Sequence, residues 1–372
     1  MNYFSTKTSS PRKRGSIIEW IPTSLRSSSF AKFASQICFA CVGMTAGLLC
    51  FSAIPIRAET VIKFATLAPE GSAWMKIMRE WNKELMEKTG GQLKFKIYSG
   101  GVSGDEKDVV RKIRLGQLQS GGFTGVGLGE IAPEVRVLDA PFLFRNTEEI
   151  DTIYKTFQKD WDSAFQRKGY VLLGWAEVGF VYFFTNVPVR NLKDLKGVKM
   201  WMWEGDPIAE SAFKTIGINP IPLSITDVMT SLQTGLINGV YSSPLAILAL
   251  QWFTKTKYMY DYHLANASGA VLLSKSSFDK MPGDQQTLLL STGQKYLSRL
   301  TTLSREENKS AIETLRKNGI KIVSPQSDQE IAEYEALGVK ARHMMEGRLY
   351  SQELLDKVEN GLVNFRAKSK SK

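Results

Sequence analysis

Residues 191–244, NLKDLKGVKMWMWEGDPIAESAFKTIGINPIPLSITDVMTSLQTGLINGVYSSP, read as one small α/β unit. A turn over 191–197 leads into the apolar run 198–203, which Glu204, Gly205 and Asp206 interrupt. Asp206 is placed to cap a helix that opens on Pro207, a position where the missing N–H costs nothing. Ile208, Ala212, Phe213 and Ile216 recur at helical spacing, and Gly217 supplies the stop. Residues 218–223 form a strand punctuated by proline. Ser224 or Thr226 then caps a second helix with Val228, Met229, Leu232 and Leu236 on one face, closed by Gly235 and Gly239. Val240 and Tyr241 begin another strand.

Upstream, residues 60–67 (TVIKFATL) read as a strand, and Ser72 caps a helix with Trp74, Ile77, Met78, Trp81 and Leu85 at helical spacing. That stripe is core, except that Trp74, in the first turn, is free to face a cleft. Leu93, Phe95 and Ile97 alternate with lysines, as in a strand with one wet face. Asp105 opens the next helix. Asp105, Glu106 and Asp108 are read as cap and dipole partners rather than as a metal cluster. The segment SGGFTGVGLGE (120–130) falls short of a dinucleotide fingerprint, because Glu130 stands where the third glycine would be. Its glycines point to close backbone approach. Residues 161–165 belong to a helix, and 170–176 and 180–185 are apolar strands buried on both faces. Downstream, 244–252 starts an apolar helix, 268–274 is a strand, 284–315 a long helical region, 320–323 a short strand, and 330–365 helical. No internal repeat is present.

The order L-K-G-x-K-x, then I-x-P-x-P-x-x-x-x-D-V-x-x-x-L-Q-x-G-x-x-x-G, resembles the extracytoplasmic solute receptors of TRAP transporters, the DctP family. The segment VLDAPFLFRNTEEI, with its P-F-L-F, is similar to the family as well. The likeness covers roughly residues 60–345. It implies a two-lobed α/β fold of the periplasmic-binding-protein type, with mixed sheets flanked by helices and a ligand cleft between the lobes. It further implies closure about strands that cross between the lobes, and docking on a membrane permease. The expected division is a first lobe of 59–183 plus about 268–310, a second lobe of 184–267 plus about 311–345, and a C-terminal helix with a basic disordered tail over 346–372. A further periplasmic partner or a homodimer is compatible with this reading.

One position departs from the family pattern. Where most members carry a carboxylate-clamping arginine, this chain has Trp201. Arginine offers a planar fork with two charge-assisted hydrogen bonds; tryptophan offers one N–H and an apolar face. No replacement cation is evident nearby, and the preceding crossing strand, with Phe180 and Tyr182, is apolar. The expected ligand is therefore rather apolar or amphipathic, with an organic acid held by another cation as the alternative. By the resemblance, Phe123, Thr124 and Gly125 border the ligand. Trp74, Phe180, Tyr182, Trp201, Trp203 and Tyr241 are further candidates, and Leu67, Ile225 and Ser242 complete the expected wall. Alternation places Trp201 and Trp203 on one face of their strand and Met200 and Met202 on the other.

Composition narrows the alternatives. The chain has 372 residues and a formal charge of +11. Residues 1–58 hold seven Lys/Arg against one acid, and the tail from Arg366 holds four against none, which leaves 37 basic and 36 acidic residues between. So balanced a body offers no phosphate-binding face, and no nucleic-acid partner is expected. Arg12, Lys13, Arg14, Arg26 and Lys32 precede the apolar run 37–54, and Ala58 ends a cleavage-like site, as in a secretory signal peptide delivering the protein to the periplasm. An uncleaved anchor and a start near Leu25 are alternatives. Cys38, Cys41 and Cys50 all lie in this leader, so the body offers no thiol nucleophile or thiolate metal site. His263 and His343 are the only histidines, and no hydrolase motif accompanies them. The chain is expected to be a binding protein with no catalytic residues, metal or cofactor; a secreted hydrolase is the distant alternative.

Overall fold

The computed structural model describes residues 59–370. The leader, its cysteines and the cleavage site lie outside them. Of the eleven strands among the described residues, nine build two main sheets and two form a separate pair. In chain order these are β1 (Thr60–Thr66), β2 (Leu93–Tyr98), β3 (Ser120–Thr124), β4 (Tyr170–Trp175), β5 (Gly179–Thr185), β6 (Trp201–Trp203), β7 (Ile221–Leu223), β8 (Gly239–Ser242), β9 (Tyr258–Ala267), β10 (Gly269–Ser274) and β11 (Lys321–Val323).

The first sheet has the order β2-β1-β3-β10-β4, parallel on its β2-β1-β3 side and antiparallel where β10 inserts. One face is covered by helices Ala73–Lys88 and Gly283–Lys317, packing Ile77, Trp81, Leu85, Tyr296 and Leu297 against Phe64 and Val271. Trp81 is fully buried, and its indole N–H donates to Thr292 Oγ1 at 2.8 Å, so this large side chain leaves no polar group unmet. The other face packs Val110, Phe123, Leu138 and Phe165.

The second sheet is β11-β9-β5-β8, with β6 and β7 as a parallel pair beside it. Met200 bridges to Gly239, which ties the pair to β8. The unit over 191–244 keeps the expected element order, but Leu236, expected on the apolar face of the second helix, lies beyond the helix end and is half exposed, and Gly239 opens β8 instead of closing that helix. Asp206 accepts from Ile208 N, Pro207 opens the helix Pro207–Ile216, and Gly217 closes it with φ +79°. Ser224 accepts from Thr226 N and caps a short 3-10 turn before the helix Val228–Thr234.

The lobes are joined by continuous chain. β4 of the first sheet leads into β5 of the second, and β9 leads back into β10; β5 pairs β9 while β10 pairs β4. The long helix braces this crossing. Asn308 donates from Nδ2 to Val178 O at 2.9 Å and accepts from Leu245 N at 2.9 Å. A Cβ on Gly179, whose φ is +120°, would lie 2.5 Å from that same Nδ2. Arg305 holds Glu177 at 2.6 Å and Asp151 at 2.7 Å alongside.

Three parts of the chain depart from the sequence reading. β9, YMYDYHLANA, carries no legible strand period: its polar and apolar residues follow no clean alternation, because it runs from one lobe to the other and changes environment on the way. The basic tail from Arg366 is not a disordered end over its described part. Helix Gln352–Lys370 buries Leu355, Val358 and Leu362 on the first lobe, and Arg366 donates to the buried Glu149 at 2.7 Å and to Leu143 O at 2.9 Å. The helical region expected over 330–365 is also broken, between Asp328–His343 and Gln352–Lys370. Among the described residues no helix is long and apolar enough to cross a membrane.

Candidate functional site

A cavity of about 260 Å³ lies between the two lobes. Its first-lobe wall comes from the ends of β1 and β3, which carry Thr66, Leu67, Phe123 and Thr124, and from Trp74 at the start of its helix. Its second-lobe wall is aromatic. Trp201 and Trp203 project from the same side of β6, with ring centroids 5.9 Å apart. Trp201 stacks on Tyr241 at 4.9 Å and meets Trp252 edge-on at 5.4 Å. Two polar groups of this wall are met within the lobe: Trp201 Nε1 donates to Leu223 O at 3.0 Å, and Tyr241 Oη accepts from Trp203 N at 3.1 Å. Trp201 is 2% exposed and Trp203 7%, so both line the cavity as enclosed surfaces rather than as open flaps.

Ten of the twelve candidate residues line this space: Leu67, Trp74, Phe123, Thr124, Gly125, Trp201, Trp203, Ile225, Tyr241 and Ser242. Phe180 and Tyr182 do not. They occupy the other face of β5 and pack against His263, at 4.2 and 6.3 Å between ring centroids. Val181 and Phe183 face the cavity instead. From Phe180 to Phe184 the strand is hydrophobic or aromatic without a break, so its sequence carries no phase, and the tertiary structure selects which alternate set faces the cavity.

Four charged residues line the cavity: Glu106, Arg136, Asp139 and Asp206. Arg136 and Asp139, from the 3-10 segment Pro133–Asp139, are both buried. Arg136 Nη2 donates to Asp206 Oδ1 at 2.7 Å, and its Nε lies 3.3 Å from Asp139 Oδ2. Burial disfavours the guanidinium charge, but Asp206 and Asp139 outweigh this and hold its pKa above the ordinary arginine value. Burial raises the Asp139 carboxyl, with Arg136 opposing. Gly125 makes this possible: a Cβ there would fall 1.8 Å from Asp139 Oδ2. Glu106 is pushed up to about 7 by burial, even though it accepts from Thr124 N, Thr124 Oγ1 and Gly127 N at 2.7, 3.0 and 2.7 Å. Sequence reading recognised Asp206 only as a cap and passed over Arg136 and Asp139. The available signal was a charged i,i+3 pair inside the otherwise apolar run VRVLDAPFLF, where ionic groups must be buried together or not at all.

Contacts across the mouth join the lobes. Asp105, which caps its own helix by accepting from Glu106 N, also accepts from Trp203 Nε1 at 3.0 Å, Ser224 Oγ at 2.6 Å and Ile225 N at 3.3 Å. Lys107 Nζ donates to Glu204 O at 2.8 Å. With the Arg136–Asp206 pair, these close the lobes over the cavity. His263 Nε2 donates to Phe144 O at 3.0 Å, and burial lowers its pKa. Among the described residues no group of three or more His, Cys, Asp or Glu is placed to hold a metal ion.

The same architecture recurs in known proteins. A family model described as bacterial extracellular solute-binding protein, family 7 (DctP) matches residues 64–352. The 2,3-diketo-L-gulonate-binding periplasmic protein YiaO of Escherichia coli (strain K12) is 25% identical over 301 residues, covering 80% of this chain and 90% of its own. Among solved structures, a TRAP periplasmic solute binding protein from Citrobacter koseri with bound D-glucuronate superposes with a TM-score of 0.72 at 23% identity, over 80% of this chain and 98% of that one. The sugar acid binding protein DctPAm from Advenella mimigardefordensis in complex with galactonate gives 0.77 at 20% identity, over 82% and 99%. A two-lobed fold closed over a cavity, with a match across most of its length, makes the assignment: the chain belongs to the DctP family, family 7 of the bacterial extracellular solute-binding proteins, and is a periplasmic small-molecule receptor of TRAP-type transport rather than an enzyme.

Proposed function

We propose that the solute is a small organic compound that is mainly apolar or amphipathic, delivered by this receptor to its TRAP permease. One observation supports this above the others: the cavity is walled by Leu67, Trp74, Phe123, Val181, Phe183, Trp201 and Tyr241, while its charged residues are engaged with one another or with backbone. Burial of each added methylene contributes about 0.8 kcal/mol, or roughly fourfold in affinity, until the space is full. Calorimetry over a homologous series of amphipathic compounds tests the reading. Affinity that rises with chain length is expected; flat affinity together with tight binding of a short acid would falsify it and leave the receptor assignment standing. Mass spectrometry of the solute that co-purifies with the protein gives an independent answer.

A second reading has one observation in its favour. Among the described residues lining the cavity, Arg136 is the one cation, and a ligand carboxylate that displaced Asp206 would find a guanidinium fork there. The twelve candidate residues, less Phe180 and Tyr182 and with Val181, Phe183, Arg136 and Asp139 added, are the proposed ligand contacts. The export route is part of the same proposal: the leader is removed after Ala58, so that the mature chain begins at Glu59. N-terminal sequencing of the fractionated protein checks it; a product that retains residues 37–54 in the membrane fraction contradicts it.

A further inference from the structure

We infer that Phe142 sets how long a solute the cavity accepts. Its ring is the stop at the apolar end, and a second cavity lies behind it. The inference rests on the amphipathic-ligand reading above and fixes where the apolar end of that molecule halts.

The cavity has a direction. Helix Pro207–Ile216 runs along it: Asp206 at its cap, Ala209 and Ala212 in its middle and Ile216 in its last turn are all lining residues. The ten residues of this helix, at 1.5 Å each, make that side about 15 Å long. The end at Asp206 is charged, because Arg136 joins Asp206 and Asp139 there. The other end is apolar, with Phe142, Phe183, Leu264, Phe213 and Ile216. Phe142, Leu264 and Ile216 are half-buried, so this end keeps surface that a ligand can cover.

Phe142 stands between two spaces. Behind the solute cavity lies a second one of about 240 Å³, lined by Phe142, Phe144, Arg145, Tyr262, His263 and Glu335. Among the described residues Phe142 alone lines both. Its ring stacks on Tyr262 at 5.8 Å and on Tyr334 at 6.4 Å. Its φ is +52°, in the left-handed region that a bulky side chain rarely adopts. Several contacts enforce this. Phe142 N donates to Leu264 O at 2.7 Å, and Arg342 Nη1 donates to Pro141 O at 2.8 Å. Gly338 gives the ring room, since a Cβ there would fall 2.8 Å from Phe142 Cβ and Cδ2. At an ordinary φ the side chain would leave in another direction, so the strained backbone is what keeps the ring in the partition. Strain held by so many partners is the mark of a position fixed for its geometry rather than for local preference.

Calorimetry of the mature receptor with n-alkylamines and n-alkanoates, from butyl to dodecyl, tests this with either head-group charge. In the wild type, affinity is expected to rise about fourfold per methylene up to a limiting length and to gain nothing beyond it. Phe142→Gly removes the ring and suits the left-handed backbone, so the two cavities join. It is expected to move the limit at least about two carbons longer, which makes binding of a ligand that far past the wild-type limit roughly tenfold tighter or more. Phe142→Asn also tolerates a positive φ and is expected to act in the same direction, which keeps the test open if the glycine variant does not fold. Glu335→Ala alters the far rim of the second cavity, where Glu335 pairs with Arg145, and is expected to leave the limit unchanged. A limit that the Phe142 variants do not move, or that Glu335→Ala moves as far, overturns the inference and leaves the amphipathic-ligand reading standing. Affinity independent of chain length in the wild type overturns both.

Discussion

The two walls of the cavity are built on different terms. The aromatic wall of the second lobe is nearly complete within that lobe: Trp201 donates to Leu223 O, Tyr241 accepts from Trp203 N, and the rings pack on one another. The charged wall is completed only by closure, because Arg136 of the first lobe finds Asp206 in the second. Asp105 does the same at the rim, reaching Trp203, Ser224 and Ile225 across the mouth. One wall is thus a preformed apolar surface, and the other is a set of charges whose satisfaction depends on the closed state. Apolar contact is non-directional and survives opening; buried ion pairs require their partner in place. The aromatic wall is suited to give affinity, and the charged wall to couple affinity to closure.

The largest effect should come from breaking the charged wall. Arg136→Ala leaves Asp139 and Asp206 buried without their cation and should cost about 4 kcal/mol of stability in the closed form. Urea denaturation with and without solute measures it; a loss below about 1 kcal/mol would mean that the pair is wet and that closure does not depend on it.

The preformed wall is tested next. Trp201→Ala should destabilise the protein by about 3 kcal/mol, at the low end for a buried tryptophan because the space it leaves joins an existing cavity. Affinity for longer amphipathic ligands should fall with it, whereas Trp201→Arg should shift preference toward small acids. Unchanged affinity in Trp201→Ala would remove the aromatic wall from the site.

Glu106 sharpens the comparison through pH. Its carboxyl is raised by burial from 4.5 to about 7, so the folded state holds the proton more tightly than the unfolded chain does. Stability from this group is therefore full below about pH 4.5 and falls as pH rises to about 7, by on the order of 3 kcal/mol. Comparison of the stability–pH profiles of wild type and Glu106→Gln across that window isolates it; identical slopes would show that the three hydrogen bonds it accepts already offset its burial.

The smallest change is expected at the rim. Asp105→Ala removes the part-buried hydrogen bonds to Trp203, Ser224 and Ile225 across the mouth and should weaken solute binding by about 1–2 kcal/mol, roughly five- to thirtyfold. Trp203 fluorescence should report the same loss, since its indole N–H no longer meets a carboxylate. A variant with wild-type affinity and spectrum would place closure under the control of the Arg136–Asp206 and Lys107–Glu204 contacts.

Local chemistry determined much of this molecule. The cap at Asp206, the stop at Gly217 and the Ser72 and Asp105 helix starts are each set by a few adjacent residues, and they stand where the chain indicates. The alternation that puts Trp201 and Trp203 on one face is equally local, and with the family motif it located the aromatic wall. Tertiary structure decided what depends on distant partners. The unbroken hydrophobic and aromatic run of β5 could be phased only by its neighbours, which turned Val181 and Phe183 to the cavity in place of Phe180 and Tyr182. β9 crosses two environments and so shows no single period. Arg366 reads as part of a solvated tail until Glu149, 217 residues away, is seen beneath it. Arg136, Asp139 and Asp206 form a site only because closure brings two lobes within hydrogen-bond reach, and no spacing along the chain encodes a distance set by folding across a hinge.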